Sequence, residues 1–583
     1  MAVDCSLVLS RAVDAHQAGD LATAARLYDE ILQSDPDHAD ALHLSGLVAF
    51  QCGRMDEATE LIEKAVQVDA AQASYHANLG RILQAAGRSS DAASAYVRAI
   101  ILEPQSAVLR SDHAAALIAL ERYDEARAEC DNAVVMDAGL AEAHLNLGLV
   151  HLHNANRQQA IDSLERAVDL APGNAFAQFH CGVALQAAGR PADAIVCYLR
   201  AIEIDPGQAE AHCNLGNIHK DEGEFALAET AYRAAIAINP TLAEVHSNLG
   251  VVLHELADQK GALDCFDHAL ALAPEDAEIH RNRAVILLSM GRFAEGWREN
   301  EWRWKTKHFA AIRRELGVAQ WRGGDLSGRT ILIRAEQGYG DTLQFMRYLP
   351  LVAARGGDIV FECPVQLAGL ARDLVGAGRV VADASSIDDI DCHAPLLSLP
   401  GIFGTDISSI PVDVPYLRTE KLRLAEDQNF RVGVAWRGST AFKRDRIRSL
   451  GLGVLGELFT IPGITFVSLQ KENGPGDLAQ YGFAGLVRDE TASWRNFSDS
   501  AVTVGGLDLV IAPDTAVLHL AGALGKPAWA LLPYVADWRW LADRDDSPWY
   551  PSLRLFRQQS PGDWAGVVGR VKEELTILAA QRD

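Results

Sequence analysis

Positive charge is in short supply in this chain. Its 53 lysines and arginines face 78 aspartates and glutamates, a formal net charge of −25. A nucleic-acid backbone or an anionic lipid surface calls for clustered cations, so this balance argues against both as partners. Long apolar runs are missing as well. None reaches the ~20 residues a bilayer-spanning helix needs. The opening MAVDCSLVLSRAVDAHQAGD lacks the basic region, apolar core and cleavage site of a secretory leader. A cytoplasmic protein is expected. Nine scattered cysteines form no C-x-x-C and no Cys/His cluster at zinc spacing. They read as small core hydrophobes in a reducing compartment. No D-x-D pair follows a strand pattern, so neither a metal nor a resident cofactor is expected.

Regularity is what the chain has in abundance. Glycine falls at Gly46, Gly80, Gly148, Gly182, Gly216 and Gly250, steps of 34 or twice 34. Ala24, Ala58, Ala92, Ala126, Ala160, Ala194, Ala228 and Ala262 keep the same beat without a gap. So do Pro36, Pro104, Pro172, Pro206, Pro240 and Pro274. This is the period of the tetratricopeptide repeat, a helix–turn–helix unit that must stack on its neighbours to bury its apolar face. The expectation is an all-α solenoid of about eight repeats over residues 1–290. A capping and linker segment, 291–325, follows and contains the Trp- and Arg-dense stretch FAEGWRENEWRWKTKHF at Phe293–Phe309.

Two further ladders run through the repeats. Asn78, Asn146, Asn214, Asn248 and Asn282 stand two residues before the small-residue step. On the inner surface of a solenoid their amides can donate to and accept from an extended peptide backbone, a sequence-tolerant way to hold a polypeptide. The alternative is local: each amide caps a turn or bonds the next helix. His76, His144, His212, His246 and His280 form the second ladder, one per repeat and too far apart to share a metal ion.

From Leu326 the pattern changes to short apolar runs alternating with helical stretches. Strands are expected at Thr330–Arg334, Asp358–Glu362, Arg379–Ala382, Arg431–Trp436, Thr465–Leu469, Leu507–Ala512 and Ala528–Leu532. Alternation of this kind implies parallel sheets with crossover helices. A loop near Pro411–Gln428 divides the region into two such units, 326–420 and 421–583. Ligands of open α/β sheets bind at the carboxyl ends of the strands.

Three strand-to-helix corners carry the chemistry. In IRAEQGYGDTLQF, Gly338 and Gly340 allow close backbone approach, and Asp341 is either a helix cap or a general base. In VGVAWRGSTAFKRDRIRS, Arg437, Lys443, Arg444, Arg446 and Arg448 gather five cations in a strongly acidic protein, suggesting an anion site. In LDLVIAPDTAVLHLAGALGKP, Asp514, Thr515 and Ala516 open a helix whose free amides can hold phosphate oxygens, with His519 one turn in. Lys471 can add charge at the same site, and Gln470 can read a base.

The segments G-Y-G-D and D-T-A-x-x-H-L-A-G-A-L-G-K-P resemble those of the ADP-heptosyltransferase type of GT-B glycosyltransferase. The resemblance implies a fold of two Rossmann-like lobes, acceptor side first and nucleotide-sugar side second. It implies Asp341 as the catalytic base, with Asp514, Thr515 and His519 on the donor diphosphate. That family usually has glycine where this chain has Ala516. Joined to tetratricopeptide repeats, the domain is similar to bacterial protein O-glycosyltransferases, notably the flagellin glycosyltransferases of alphaproteobacteria. That similarity implies metal-independent, inverting transfer of a nucleotide-activated sugar to Ser or Thr of flagellin recruited by the repeats. The sugar would be a nonulosonic acid such as pseudaminic acid, with CMP as a candidate nucleotide. The alternatives are an adaptor or flagellin chaperone with an inactive transferase domain, and an enzyme with a glycan or lipid acceptor.

Overall fold

A computed structural model describes residues 5–314, 316–374, 378–419, 429–439 and 445–581. The chain divides into two compact units, Met1–Pro240 and Thr241–Asp583, and the division falls within the helical array. Among the described residues seventeen α-helices run from Cys5 to Ser289, the expected tetratricopeptide architecture.

Steric fit explains the glycine ladder. A Cβ at Gly216 would lie 2.7 Å from the Tyr232 ring, and one at Gly182 would lie 2.6 Å from Tyr198. Only hydrogen leaves room for these rings, which are fully buried. Where Ala114 replaces the glycine, the residue at the ring's position is Cys130, small and fully buried. The turn between paired helices takes a left-handed residue: Gly87 at φ +75°, Gly223 at +83°, but Glu121, Ala155 and Ala257 at 58°, 55° and 64° in other repeats.

The histidine ladder closes turns. Nε2 of His76, His144 and His280 lies 3.0, 3.1 and 2.8 Å from the carbonyl oxygen six residues earlier. Arg110 and Gln178 occupy the same repeat position and donate to the carbonyls of Pro104 and Pro172. What recurs is therefore a long polar side chain that satisfies an orphan carbonyl past a helix end.

The second unit holds two sheets in which every strand pairing is parallel. In the first, β1 (Ala319–Gln320), β2 (Thr330–Arg334), β3 (Asp358–Glu362), β4 (Arg379–Val381) and β5 (Cys392–Pro395) lie in the order β1-β5-β2-β3-β4. In the second, β6 (Phe430–Val434), β7 (Ile464–Ser468), β8 (Val487–Asp489), β9 (Leu509–Pro513), β10 (Ala528–Leu532) and β11 (Leu553–Arg557) lie in the order β11-β10-β9-β6-β7-β8. Strand order reverses between β2 and β5 and again between β6 and β9, the places where doubly wound sheets open a crevice. β9 and β10 are buried along their whole length, as their unbroken apolar sequences require.

The Trp/Arg segment folds as a helix, Phe293–Asn300, a 3-10 turn, Glu301–Lys305, and a short helix, Lys307–Ile312. Phe293 and Trp297 enter the core of the first sheet, and the Trp297 indole donates to the Thr405 carbonyl at 2.9 Å. Arg303, 1% exposed, donates to Glu301 at 2.7 Å, Glu336 at 2.9 Å and Ser398 at 2.8 Å.

Candidate functional site

The first and third corners meet. Gly338 caps the helix Tyr339–Phe345, which packs against the helix Ala516–Ala523 that follows β9. Contact is closest at Gly340, where a Cβ would lie 2.8 Å from Cδ2 of His519. The ring is clamped: Nδ1 is 3.0 Å from the Tyr550 hydroxyl, Nε2 is 3.4 Å from Oδ1 of Asp514, and Trp540 stacks on its face at 5.6 Å. Both imidazole nitrogens thus face protein partners.

Asp341 sits in the first turn of its helix and turns back to accept the Gly338 amide at 3.2 Å. Its other oxygen accepts Arg539. That guanidinium also donates to Asp537 and to the Gln344 side-chain oxygen, each at 2.7 Å. Burial pushes the Asp341 carboxyl above its usual range, against the pull of Arg539 and His519. Asp514 goes the other way. Burial opposes its charge, but the bond and charge of His519, with Arg539 behind them, hold its carboxyl below the usual range. Two aspartates that share His519 and Arg539 as neighbours are thus pushed in opposite directions, a frequent mark of a chemical site.

Thr515 stands at the head of its helix with a hydroxyl that caps nothing. It is 8% exposed, and its Oγ1 has no partner among the described residues. A capping threonine normally accepts an amide of the first turn. Here the buried hydroxyl caps no amide, and the chemistry of the helix N-terminus suits an anion. Arg448, from the second corner, donates to the Asp514 carbonyl at 3.0 Å and ties that corner to the third.

The other expected residues serve their own surroundings. Gln470 accepts the amides of Trp436 and Arg437 at 3.2 and 3.1 Å, fixing the chain beyond β6. Lys471 donates to the carbonyls of Thr491 and Trp494. Arg437 pairs with Asp477 at 2.9 Å. Lys443 and Arg444, with the side chain of Arg446, lie outside the described residues. In the asparagine ladder, Asn78 lies 2.8 Å from His43, Asn146 donates to the Ser111 carbonyl at 3.0 Å, and Asn214 donates to the Tyr198 hydroxyl at 3.3 Å. Asn146 is buried, whereas Asn78, Asn214, Asn248 and Asn282 are half-buried.

Sequence reasoning missed Arg539 and Tyr550, the residues that grip Asp341 and His519. A signal was present. Arg539 lies in D-W-R-W and Arg303 in E-W-R-W, and both segments are 3-10 turns. In each the arginine pairs with the acid two residues before it and with an acid beyond β2, Glu336 for one and Asp341 for the other.

Comparison with known proteins bears on the helical array first. Profiles of the tetratricopeptide repeat match residues 15–82, 77–141, 111–175, 187–223 and 216–256. Protein FlbA of Caulobacter vibrioides is 29% identical over 332 residues, 50% of this chain and 54% of FlbA. The match therefore spans about half the length of that relative. Among solved structures, YrrB, described as a TPR protein with an unusual peptide-binding site, is 24% identical with a TM-score of 0.29, over 32% of this chain and 96% of that one. The Cut9–Hcn1 assembly of APC/C is 18% identical with a TM-score of 0.38, over 48% of this chain and 55% of that one.

Proposed function

We propose that this chain is a protein O-glycosyltransferase whose repeats, residues 1–290, recruit a polypeptide and whose α/β region glycosylates it. Residues 291–325 cap the array, 326–420 form the acceptor-side lobe and 421–583 the nucleotide-sugar lobe of a GT-B fold. The observation that carries this reading is the meeting of the first and third corners. Asp341, whose carboxyl burial pushes above its usual range, lies one helix contact from the unpartnered hydroxyl of Thr515.

The donor phosphate rests on the amides and hydroxyl at Thr515–Ala516. Arg448 and the second-corner loop supply positive charge. Asp341 takes the proton of a Ser or Thr hydroxyl as its oxygen attacks the anomeric carbon. The new carbon–oxygen bond forms as the bond to phosphate breaks, and the phosphate leaves with that electron pair. A single displacement inverts the anomeric centre. His519 works from behind, orienting Asp514 and filling the space under Gly340. The asparagine ladder Asn78, Asn146, Asn214, Asn248 and Asn282 meets the acceptor peptide, its half-buried members most directly. The acceptor is flagellin and the sugar a nonulosonic acid, on the resemblance drawn from the joining of this domain to tetratricopeptide repeats. The site of action is the cytoplasm.

The test is transfer by the purified protein with candidate nucleotide sugars, read as an intact-mass gain on flagellin. Asp341→Asn should abolish the gain while nucleotide still raises thermal stability. Transfer surviving Asp341→Asn removes the base assignment. No nucleotide binding at all favours an adaptor without chemistry.

A further inference from the structure

A cavity of about 1480 Å³ lies at the carboxyl end of the first sheet, where strand order reverses between β2 and β5. The segment after the helical array walls one side of it, and the strand ends wall the other. Trp297, Trp304 and Trp321 supply flat apolar surface.

Charge sets this cavity apart from the rest of an acidic protein. Arg298, Arg313 and Arg322 reach it from exposed positions, and none has a carboxylate partner among the described residues. Arg314 lies 3.3 Å from Asp383 and 3.6 Å from Glu362, and Arg334 donates to Glu362 at 3.1 Å. The two carboxylates of the wall, Glu301 and Glu336, are both taken by Arg303. Uncompensated positive charge therefore faces the opening. Its volume exceeds the ~300–1,000 Å³ usual for a small-molecule site. The wall ends at Gln337, one residue before the glycine whose amide Asp341 holds.

We propose that this cavity receives an acidic segment of the acceptor polypeptide. Aspartates or glutamates flanking the target Ser or Thr pair with Arg298, Arg313 and Arg322, and the hydroxyl is thereby delivered beside Gln337 to the Asp341 corner. The proposal rests on the glycosyltransferase reading and names its acceptor chemistry: a hydroxyl in an acidic surround.

Two probes test it on the full chain without donor. One is a fluorescein-labelled peptide of about ten residues, ~35 Å when extended, alternating Ser or Thr with Asp or Glu. The other carries Asn and Gln in their place. Anisotropy should show tighter binding of the acidic peptide, weakening as salt rises. The triple variant Arg298→Gln/Arg313→Gln/Arg322→Gln should weaken it about 10- to 100-fold, with loss of electrostatic complementarity as the cause. The triple Arg→Lys variant should recover most of that loss. Unchanged melting behaviour keeps a folding defect from passing as a result. Equal affinity for both peptides overturns the proposal, as does an affinity indifferent to the triple Gln change. So does displacement of the acidic peptide by CMP or UDP alone at similar concentration, which makes the cavity a small-anion site. Nucleotide thermal shifts on the unaltered protein are read separately. If nucleotide binds and the peptide does not, only this inference falls. If peptide binds and no nucleotide does, the transferase reading falls.

Discussion

Arg539→Met isolates the electrostatics of the crevice. The arginine holds Asp341, Asp537 and the Gln344 oxygen at once and is 10% exposed in its side chain, with Asp341 at 19% and Asp537 at 38%. Methionine keeps an unbranched side chain over the Trp538 ring, which the guanidinium covers at 4.4 Å. What disappears is the charge. Removing one partner of a buried pair costs about 3–5 kcal/mol. Water still reaches both aspartates, so a loss of ~2–4 kcal/mol at pH 7 is expected. The loss must depend on pH. Burial already raises the folded pKa of Asp341, and Arg539 is the largest force pulling it back. Without that pull the folded pKa climbs further above the unfolded value. A carboxyl shifted upward binds its proton more tightly when folded, so its contribution to stability falls as pH rises from the unfolded pKa to the folded one. As pH falls, a growing share of Asp341 is protonated in the variant, and less bare charge remains at that position. The penalty should shrink with it by up to ~1.4 kcal/mol for each unit of added pKa shift. All eleven tryptophans lie between Trp297 and Trp564, so tryptophan fluorescence in urea reports the second unit alone. In transfer assays the acid limb of the rate profile should move to higher pH. Equal penalties at pH 4 and pH 7, with an unmoved acid limb, would refute the coupling of Arg539 to Asp341.

Gly340→Ala should push the His519 ring from its clamp, cost about 1–3 kcal/mol as overpacking does, and abolish the nucleotide-induced thermal shift; a variant that binds nucleotide normally removes the contact from the site. Glu336 has its pKa pushed up to about 7, chiefly by burial and against the pull of Arg303. The stability of the unaltered protein relative to Glu336→Gln should therefore fall by up to ~3 kcal/mol between pH 4.5 and 7 and stay level above that. Parallel denaturation curves across that window would refute this. Ala155→Gly relieves a left-handed residue in a turn where other repeats use glycine, and should raise the helical melting transition of the first unit by about 0.5–1 kcal/mol. Gly216→Ala drives a methyl into the Tyr232 ring and should cost about 1–3 kcal/mol by the same assay.

Most of the fold was legible because its rules are local. A glycine must face each ring, a left-handed residue must turn each helix pair, and a proline cannot continue a helix, so the array prints its period in the sequence. The apolar runs at Thr330–Arg334, Asp358–Glu362 and Ala528–Leu532 match β2, β3 and β10 residue for residue. The strands that escaped notice lack such a run. β1 has two exposed residues, β5 reads Cys-His-Ala-Pro, β8 reads Val-Arg-Asp, and β11 alternates apolar with arginine. Each is defined by its neighbour in the sheet, not by its own composition.

The site divides along the same line. Gly338, Gly340, Asp341, Thr515 and His519 stood out because a strand-to-helix corner imposes their types over a few residues. Arg539 lies 198 residues from Asp341 and Tyr550 lies 31 from His519, distances over which no periodicity speaks. Composition can still mark such partners. A charge flanked by two tryptophans is expensive to bury unless an acid awaits it, and the chain does this twice, at Trp302-Arg303-Trp304 and at Trp538-Arg539-Trp540. Each arginine brings one acid of its own two residues back and meets a second just past β2. The corner after β2 is thus gripped from both sides. The segment after the repeats holds Glu336, and the segment after β10 holds Asp341. A shift of either turn would alter the electrostatics of an acid at that corner, Glu336 for one and Asp341 for the other.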